Sequence, residues 1–372
     1  MSGTFGQARE FFLRGLAQYQ SGQYLEAEAS LSASLALLPG RASTLTNLGA
    51  TRLKLGQPAQ ALEVLQEALA REPGNVEALG HCAAALGELG RPAPALACLD
   101  RLLAADPSVG HAWSVRGTVL KALGRPWDAA ESYRQALARG ADPQLNSYYL
   151  AALGGSEAPP AAPLHYVEQL FDGYAGAFDG HLVEQLNYRG PQVLVDPLQA
   201  SGKRFDNALD LGCGTGLCGP LLKRLAARVT GVDLSQNMLD RAAESGSYAA
   251  LLHQDLAAFL ATTPDRFDLV VAADVLIYLG ALEAVFAGAA RVIPEGGAFC
   301  FSVEDAAGAG VPSQADGANY VLQSSMRYAH AESYIRRLAD HGGFEVADTV
   351  RQPVREDQGT PIPGLYFWLT RC

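Results

Sequence analysis

In the first part of the chain, small residues and large apolar residues each recur with a fixed period. Glycine or alanine recurs every 34 residues in three registers, with large apolar residues between them. The registers are Gly15, Gly49, Ala83 and Gly117; Gly22, Gly56, Gly90 and Gly124; and Ala27, Ala61, Ala95 and Ala129. A repeat of this length with two apolar faces predicts a pair of antiparallel helices, and four such units predict an α-solenoid with one continuous core.

Residues 164–372 show a different pattern, in which short apolar runs alternate with amphipathic stretches. The runs predict strands over 207–211, 228–232, 249–254, 267–273, 298–303, 344–354 and 365–371. The amphipathic stretches predict helices over 164–186 (with interruptions), 191–199, 217–226, 237–244, 281–291 and 331–341. Residues 326–330 are expected to open the last of these helices. This alternation predicts an α/β, Rossmann-like, doubly wound sheet with an antiparallel edge strand.

Proline and glycine crowd the stretch between these two patterns. We therefore expect a repeat domain at 1–153, which closes with a helix near 144–153, then a linker at 154–163 and the α/β domain at 164–372.

Charge and composition narrow the possible partners. The net charge is −11, and because residues 1–155 balance 13 basic against 13 acidic residues, the excess lies in the second half. This disfavours a nucleic-acid partner. No apolar run reaches the ~20 residues of a membrane helix, and residues 1–14 lack the pattern of a signal peptide. We expect a cytoplasmic protein that makes no membrane contact, with six reduced thiols and no metal site.

A glycine-rich stretch follows the first predicted strand of the second half. Gly212, Gly214 and Gly216 alternate with other residues between a strand and a helix. Such a turn predicts a nucleotide-sized site at the carboxyl end of the strand, where a side chain would block the ligand. A dinucleotide fingerprint needs a further glycine where this chain has Leu217.

The motifs together resemble two known families. The period-34 array resembles the tetratricopeptide repeat. Residues 165–372 resemble the class I S-adenosylmethionine (SAM)-dependent methyltransferases, and the combination resembles a bacterial group of predicted methyltransferases with N-terminal tetratricopeptide repeats. The motifs that carry the second resemblance are Asp210 with the three glycines, Gly231-Val-Asp233-Leu-Ser, Gln254-Asp255, Phe267-Asp-Leu-Val-Val and Pro294-Glu-Gly-Gly297.

The resemblance implies SAM as the cofactor and a set of residues that hold it. That set is Asp210, Gly212, Cys213, Gly214, Gly216, Asp233, Leu234, Asp255, Leu256, Ala273, Tyr166 and Tyr174. Asp233 would accept from the ribose hydroxyls, Asp255 from the adenine amino group, and Asp210 would support the methionine end. The two aspartates at strand ends have an alternative role as helix N-caps. Tyr166 and Tyr174 either cover the cofactor or pack within an N-terminal lid.

Two residues are candidates for catalysis. Asp274 follows the fourth strand, where many relatives place an active-site residue, and His330 titrates near neutrality and is a candidate base. The alternative for His330 is a hydrogen bond that caps a helix or closes the pocket. Glu304 and Arg327 either bind a polar substrate group or pair with each other.

Three functions fit these features. The leading expectation is methyl transfer to a protein or peptide presented by the concave face of the repeats. The alternatives are methylation of a small molecule, with the repeats serving assembly, and a non-enzymatic scaffold with a SAM-binding domain.

Overall fold

The structure is a computed structural model that describes residues 2–174, 186–308, 319–357 and 359–372. The chain divides into two compact units, Met1–Gly155 and Ser156–Cys372. Among the helices of the described residues, none combines the length and apolarity that crossing a bilayer requires.

The first unit consists of consecutive helices, as the repeat pattern predicts. They are α1 Ser2–Gln20, α2 Tyr24–Leu37, α3 Ala42–Lys54, α4 Pro58–Arg71, α5 Val76–Glu88, α6 Pro92–Ala105, α7 Gly110–Ala122, α8 Pro126–Ala138 and α9 Pro143–Ala152. The glycines that follow the first helix of each repeat have φ between +65° and +75°, so they end these helices in the left-handed conformation. The prediction of an α-solenoid is confirmed.

Glycines at one register let paired helices approach closely. A Cβ on Gly49 would lie 2.5 Å from Cγ of Leu65, and one on Gly117 would lie 2.4 Å from Cε1 of Tyr133. Leu65 and Tyr133 are both fully buried. The small residue on one helix therefore receives the large residue of its partner, and this contact recurs in the array.

The second unit is a mixed sheet with helices on both faces. Its helices are α10 Leu164–Tyr174, α11 Gly190–Ala200, α12 Gly219–Leu222, α13 Gln236–Glu244, α14 Leu256–Thr262, α15 Glu283–Val292 and α16 Glu332–His341. Its strands are β1 Phe205–Leu211, β2 Ala226–Asp233, β3 Ala250–His253, β4 Leu269–Ala272, β5 Ala298–Asp305, β6 Tyr320–Leu322, β7 Tyr328–His330, β8 Phe344–Arg351, β9 Arg355–Asp357, β10 Thr360–Ile362 and β11 Gly364–Arg371.

The strand order is β3-β2-β1-β4-β5-β11-β8. The pairs from β3 to β5 are parallel, whereas β11 runs antiparallel to both β5 and β8. Two clusters of buried apolar side chains cover the two faces of the sheet. This confirms the Rossmann-like sheet with its antiparallel edge, and it places the ends of β1, β2 and β4 side by side.

Two predicted helices differ in the structure. The helix expected over 217–226 is limited to α12, because β2 already begins at Ala226. Residues 326–330 were expected to open a helix, and that prediction is wrong because Tyr328–His330 form β7. All three β7 residues are buried, and β7 pairs with both β5 and β6. A short strand packed on both faces lacks the alternating pattern that would reveal it.

The stretch predicted as a linker packs on the second unit over part of its length. The carbonyl of Pro160 accepts from the amides of Gly280 and Ala281, both at 2.8 Å. The amide of Ala162 donates to the backbone carbonyl of Tyr278 at 2.9 Å. Residues 156–163 therefore belong to the second unit.

We expect Gly117→Ala to destabilise the repeat unit by about 1–3 kcal/mol, because the added methyl group meets the buried ring of Tyr133. Gly87→Ala is the matched control on α5, since nothing lies within 4 Å of its Cβ position and alanine favours a helix. Hydrogen exchange of peptides from α5, α7 and α8 measures the change in the free energy of unfolding in both variants. Equal stability of the two variants would contradict the close-approach account.

Candidate active site

The turn after β1 is built from glycines that no other residue can replace without strain. Gly212, Gly214 and Gly216 have φ of +66°, +54° and +91°. A Cβ on Gly212 would lie 2.3 Å from Cγ2 of Val275. The amide of Gly212 donates to the carbonyl of Val232 at 2.8 Å, which ties the turn to β2. The turn therefore exposes bare backbone at the carboxyl end of β1.

Asp233, the last residue of β2, holds the turn with its carboxylate. Its Oδ2 accepts from the amide of Gly214 at 2.8 Å, and its Oδ1 accepts from the amide of Ser235 at 2.9 Å. Burial raises the pKa of Asp233, and these amide bonds act in the opposite direction. Ser235, rather than Asp233, is the N-cap of α13. Asp255 does cap α14, where it accepts from Ala258 at 2.8 Å.

Asp210 lies buried beneath the turn. The hydroxyl of Tyr248 donates to its Oδ2 at 2.7 Å. Burial raises the pKa of Asp210 to about 7, although the Tyr248 hydrogen bond acts against this rise. The ring of Tyr248 also packs where a Cβ on Gly216 would lie, at 3.1 Å. Tyr248 thus positions both the carboxylate and the turn, and no sequence motif pointed to it.

These elements surround a cavity of about 400 Å³. Most of the residues predicted to hold a cofactor line it, together with the predicted catalytic Asp274. The lining members of that set are Asp210, Gly212, Cys213, Gly214, Asp233, Leu234, Asp255, Leu256, Ala273 and Asp274. Gly216 supports the turn from outside the lining, and so the structure brings together side chains from β1 to β4.

Helix α10 forms an apolar wall of the cavity through Leu164, Val167, Leu170 and Phe171. The ring of Phe171 meets that of Tyr278 edge to face, with 5.5 Å between centroids.

Polar contacts anchor α10 to the start of α13. The hydroxyl of Ser235 donates to Asp172 at 2.5 Å. Tyr166 lies on α10 but outside the lining. The side chain of Tyr174 and residues 175–185 lie outside the described residues.

A buried ion-pair cluster closes the other end of the cavity. Nη1 of Arg355 donates to both carboxylate oxygens of Asp274, at 2.6 and 2.8 Å, and its Nη2 donates to Glu304. Gln323 donates to the second oxygen of Glu304 at 2.5 Å. Burial raises the pKa of Glu304, and the positive charge of Arg355 opposes this. Each carboxylate of the cluster therefore already has a cationic partner.

Asp274 has an unusual backbone conformation, with φ of +55°. Its amide donates to the hydroxyl of Ser302 at 2.9 Å, and its carboxylate is held by Arg355. Aspartate tolerates the left-handed region better than most residues do. These contacts fix the chain where it leaves β4 for the 3-10 turn Leu276–Tyr278.

Arg327 brings a second positive charge to this end of the cavity. Burial raises the pKa of Tyr278 and of Glu304, and the positive charge of Arg327 opposes both rises. Within the described ranges Arg327 forms no ion pair shorter than 4.0 Å. Glu304 pairs with Arg355, which sequence reasoning did not single out because no motif surrounds it.

His330 lies outside the lining of the cavity. It is fully buried, and its Nε2 lies 2.8 Å from the carbonyl oxygen of Leu279 and 3.2 Å from that of Gly280. Since both partners are acceptors, Nε2 carries the proton. Burial lowers the pKa of His330 to about 4, so the ring is neutral at pH 7. This geometry favours the alternative in which His330 supports the pocket wall by hydrogen bonding.

Two known families match this chain, and their matches agree with the two-unit fold and include the glycine turn after β1. The methyltransferase domain family matches residues 209–301, which run from β1 to β5. A tetratricopeptide repeat family matches residues 52–117 in the first unit. The chain carries a SAM-dependent methyltransferase domain. This domain follows a tetratricopeptide repeat region, as the sequence resemblance implies.

Curated relatives align with the methyltransferase domain. A ubiquinone biosynthesis O-methyltransferase from Sodalis glossinidius is 29% identical over 187 residues, which cover 49% of this chain and 72% of the relative. One from Methylococcus capsulatus is 30% identical over 150 residues, which cover 38% of this chain and 63% of the relative.

A solved structure also aligns with this chain. The magnesium protoporphyrin IX methyltransferase of Synechocystis PCC 6803 is 20% identical, covering 56% of this chain and 99% of its own, with a TM-score of 0.43.

We expect Asp210→Asn to change how the stability of the methyltransferase domain depends on pH. The pKa of Asp210 rises from 3.8 to about 7 on folding. Between these values the unfolded chain loses a proton that the folded chain keeps, so the carboxyl lowers stability as pH rises through this window. Below pH 3.8 it contributes nothing, and above pH 7 the loss is complete.

Asp210→Asn should therefore stabilise the domain at pH 8, by on the order of 3 kcal/mol, and leave it unchanged at pH 4. Hydrogen exchange of β1 and β4 peptides at several pH values measures this. Asp206→Asn, at an exposed position of the same strand, is the control. A parallel pH dependence in both variants would show that Asp210 is not held in the protonated form.

Proposed function

We propose that this protein transfers the methyl group of SAM to an acidic oxygen, a carboxylate or a phenol, of a small and largely apolar acceptor. The observation that carries the proposal is the ion-pair cluster at one end of the cavity. Among the described residues, Arg355 pairs with the carboxylates of Asp274 and Glu304, whereas Arg327 lines the cavity without an ion pair and can bind an anion.

The residues at the β1–β3 end fit SAM. The glycine turn leaves a cradle that a Cβ on Gly212 would fill. Asp233 and Asp255 end neighbouring strands and line the cavity, where they would accept from the ribose and the adenine. Asp210 would support the methionine end. Bound SAM supplies a methyl group on a positively charged sulfonium.

The order of the strands separates a donor end from an acceptor end. Asp233 ends β2, whereas Asp274 follows β4 and Glu304 lies on β5. Because β1 lies between β2 and β4 and neighbouring strands are about 4.8 Å apart, these groups lie roughly 10 Å or more apart. A ligand on the β1–β3 side leaves the end near Arg327 and Tyr278 for the acceptor.

Charge favours oxygen over nitrogen as the acceptor atom. A protonated amine would need a carboxylate without a cationic partner, and the two carboxylates of the cluster, Asp274 and Glu304, both pair with Arg355. An anionic oxygen instead gains from the guanidinium of Arg327, which can form charge-assisted hydrogen bonds with it.

The same charges make a separate base unnecessary. His330 is outside the cavity, and Asp274 and Glu304 are held in ion pairs. A carboxylate acceptor is already ionised at pH 7, and a phenol beside Arg327 has its ionised form favoured. The chain's own task is to align the two ligands and exclude water through the apolar wall of α10.

The repeats support a second candidate, in which the acidic oxygen belongs to a protein or peptide. Concave faces of such arrays are binding surfaces, and a tetratricopeptide match covers residues 52–117. The names of the curated relatives, O-methyltransferases of ubiquinone biosynthesis, favour a small molecule.

One experiment separates these possibilities. The full chain is incubated with methyl-labelled SAM and a bacterial lysate, and protein is precipitated from small molecules. Label in an organic extract, as an alkali-labile ester or an alkali-stable aryl ether, supports the leading proposal. An alkali-labile label in the protein fraction supports the second candidate. Label recovered on amine nitrogen contradicts the acidic-oxygen proposal in either form.

We expect Asp233→Ala to weaken SAM binding by about 2–3 kcal/mol, because charge-assisted hydrogen bonds are lost and the amides of Gly214 and Ser235 lose their partner. Isothermal titration calorimetry measures the change. Asp240→Ala, on α13 and outside the cavity lining, should bind as the unmodified chain does. If Asp233→Ala bound SAM with unchanged affinity, Asp233 would not be the residue that binds the ribose.

We expect Arg327→Gln to reduce methyl transfer at limiting acceptor about 10-fold or more, while SAM affinity changes less than about 2-fold. The reason is that Arg327 lies at the acceptor end of the cavity. Arg336→Gln, exposed on α16, is the control. An equal loss of SAM affinity would place Arg327 at the donor end instead.

A further inference from the structure

Two thiols meet inside the third repeat. Cys82 lies on α5 and Cys98 on α6; Cys82 belongs to the buried core of the repeats, Cys98 packs against that core, and both line one surface cavity. One repeat later, 34 residues along the chain, the equivalent positions are Arg116 and Ser132, which form a hydrogen bond of 2.8 Å. The two positions thus face each other across the helix pair in both repeats.

The pair is open to small molecules on one side. Cys82 is buried, whereas Cys98 is partly exposed. A surface cavity of about 390 Å³ lies between α4 and α6, and both cysteines line it beside Gln66 and Arg101. A reagent that enters this cavity reaches Cys98 first, with Cys82 behind it.

The charges around the pair activate one of the two sulfurs. Interaction with the neighbouring Cys82 thiol lowers the pKa of Cys98 to about 7, and the positive charge of Arg101 acts in the same direction. The same interaction raises the pKa of Cys82. Since the thiolate is the nucleophile, Cys98 is the sulfur that reacts and Cys82 the one that follows.

No other described cysteine has this combination. Burial raises the pKa of Cys213, Cys218 and Cys300 in the methyltransferase domain. Cys372 is exposed at the end of the chain. The reactive thiol thus belongs to the repeat unit, and the residues assigned to methyl transfer belong to the other unit.

We propose that Cys82 and Cys98 form a reversible disulfide by exchange with a low-molecular-weight disulfide. The Cys98 thiolate attacks one sulfur of the reagent, a mixed disulfide forms, and the first reagent thiolate leaves. Cys82 loses its proton to that leaving group and attacks Cys98, which releases the second reagent thiolate. Two protein thiols become one disulfide, and one reagent disulfide becomes two thiols. The bond would join α5 to α6 within one repeat.

Oxidised glutathione is the probe. The full chain is incubated with it, remaining thiols are alkylated, and peptides are mapped without reduction. The expected product is a Cys82–Cys98 cross-link that dithiothreitol reverses, with Cys213, Cys218 and Cys300 still alkylated. A chain in which Cys98 stays reduced while Cys372 reacts would overturn the proposal, as would a cross-link from Cys98 to any other cysteine.

Serine variants test the order of attack. Cys82→Ser should accumulate glutathione on Cys98, whereas Cys98→Ser should form neither the cross-link nor an adduct on Cys82. Alkylation of Cys98 should show a midpoint near pH 7 in the unmodified chain and a higher midpoint in Cys82→Ser. An unchanged midpoint would mean that Cys82 does not activate Cys98. Cys372→Ser, with circular dichroism to check folding, should behave as the unmodified chain does.

Discussion

Two positions of the chain between β1 and α12 pass too close to their neighbours to carry a side chain easily. A Cβ on Gly212 would overlap Val275, and one on Gly216 would lie only 3.1 Å from the ring of Tyr248. This close passage brings the amide of Gly214 onto the carboxylate of Asp233 and so joins the ends of β1 and β2. Val275 in turn starts the segment that carries Tyr278 into the cavity. The close contact between Gly212 and Val275 thus positions two parts of the cavity lining, the glycine turn and the segment that carries Tyr278.

The two ends of the cavity differ in how their carboxylates are balanced. Within the described part of the chain, Asp210 accepts a hydrogen bond from a hydroxyl and Asp233 accepts from a backbone amide, both neutral donors, and burial raises the pKa of each carboxyl group. Asp274 and Glu304 are instead paired with Arg355. A positively charged ligand therefore gains most at the first end, and an anion gains most at the second. We infer that this difference suits a cationic donor and an anionic acceptor, because methyl transfer between them neutralises both charges without a proton step.

Local patterns in the sequence predicted most of the architecture, and contacts between distant residues account for what they missed. The period of 34 residues and the alternation of strands and helices act within short segments, so the solenoid and the doubly wound parallel sheet could be anticipated. Arg355 is 81 residues from Asp274 in the chain, and no spacing links them. Tyr248 reaches Asp210 across 38 residues. β7 was mistaken for the start of a helix because three buried residues in a row carry no period.

The repeat array shows how a conserved geometry leaves room for individual chemistry. Each helix pair needs a small residue opposite a large one, as Gly49 and Leu65 illustrate, and this requirement fixes the distance between the helices. The positions immediately before those two residues also face each other, but they are not bound by the same steric demand. They hold Cys82 and Cys98 in the third repeat, and Arg116 with Ser132 in the fourth. Packing therefore explains why the two positions face each other. It does not require cysteine at either position, so the pair of cysteines in the third repeat points to a chemical role.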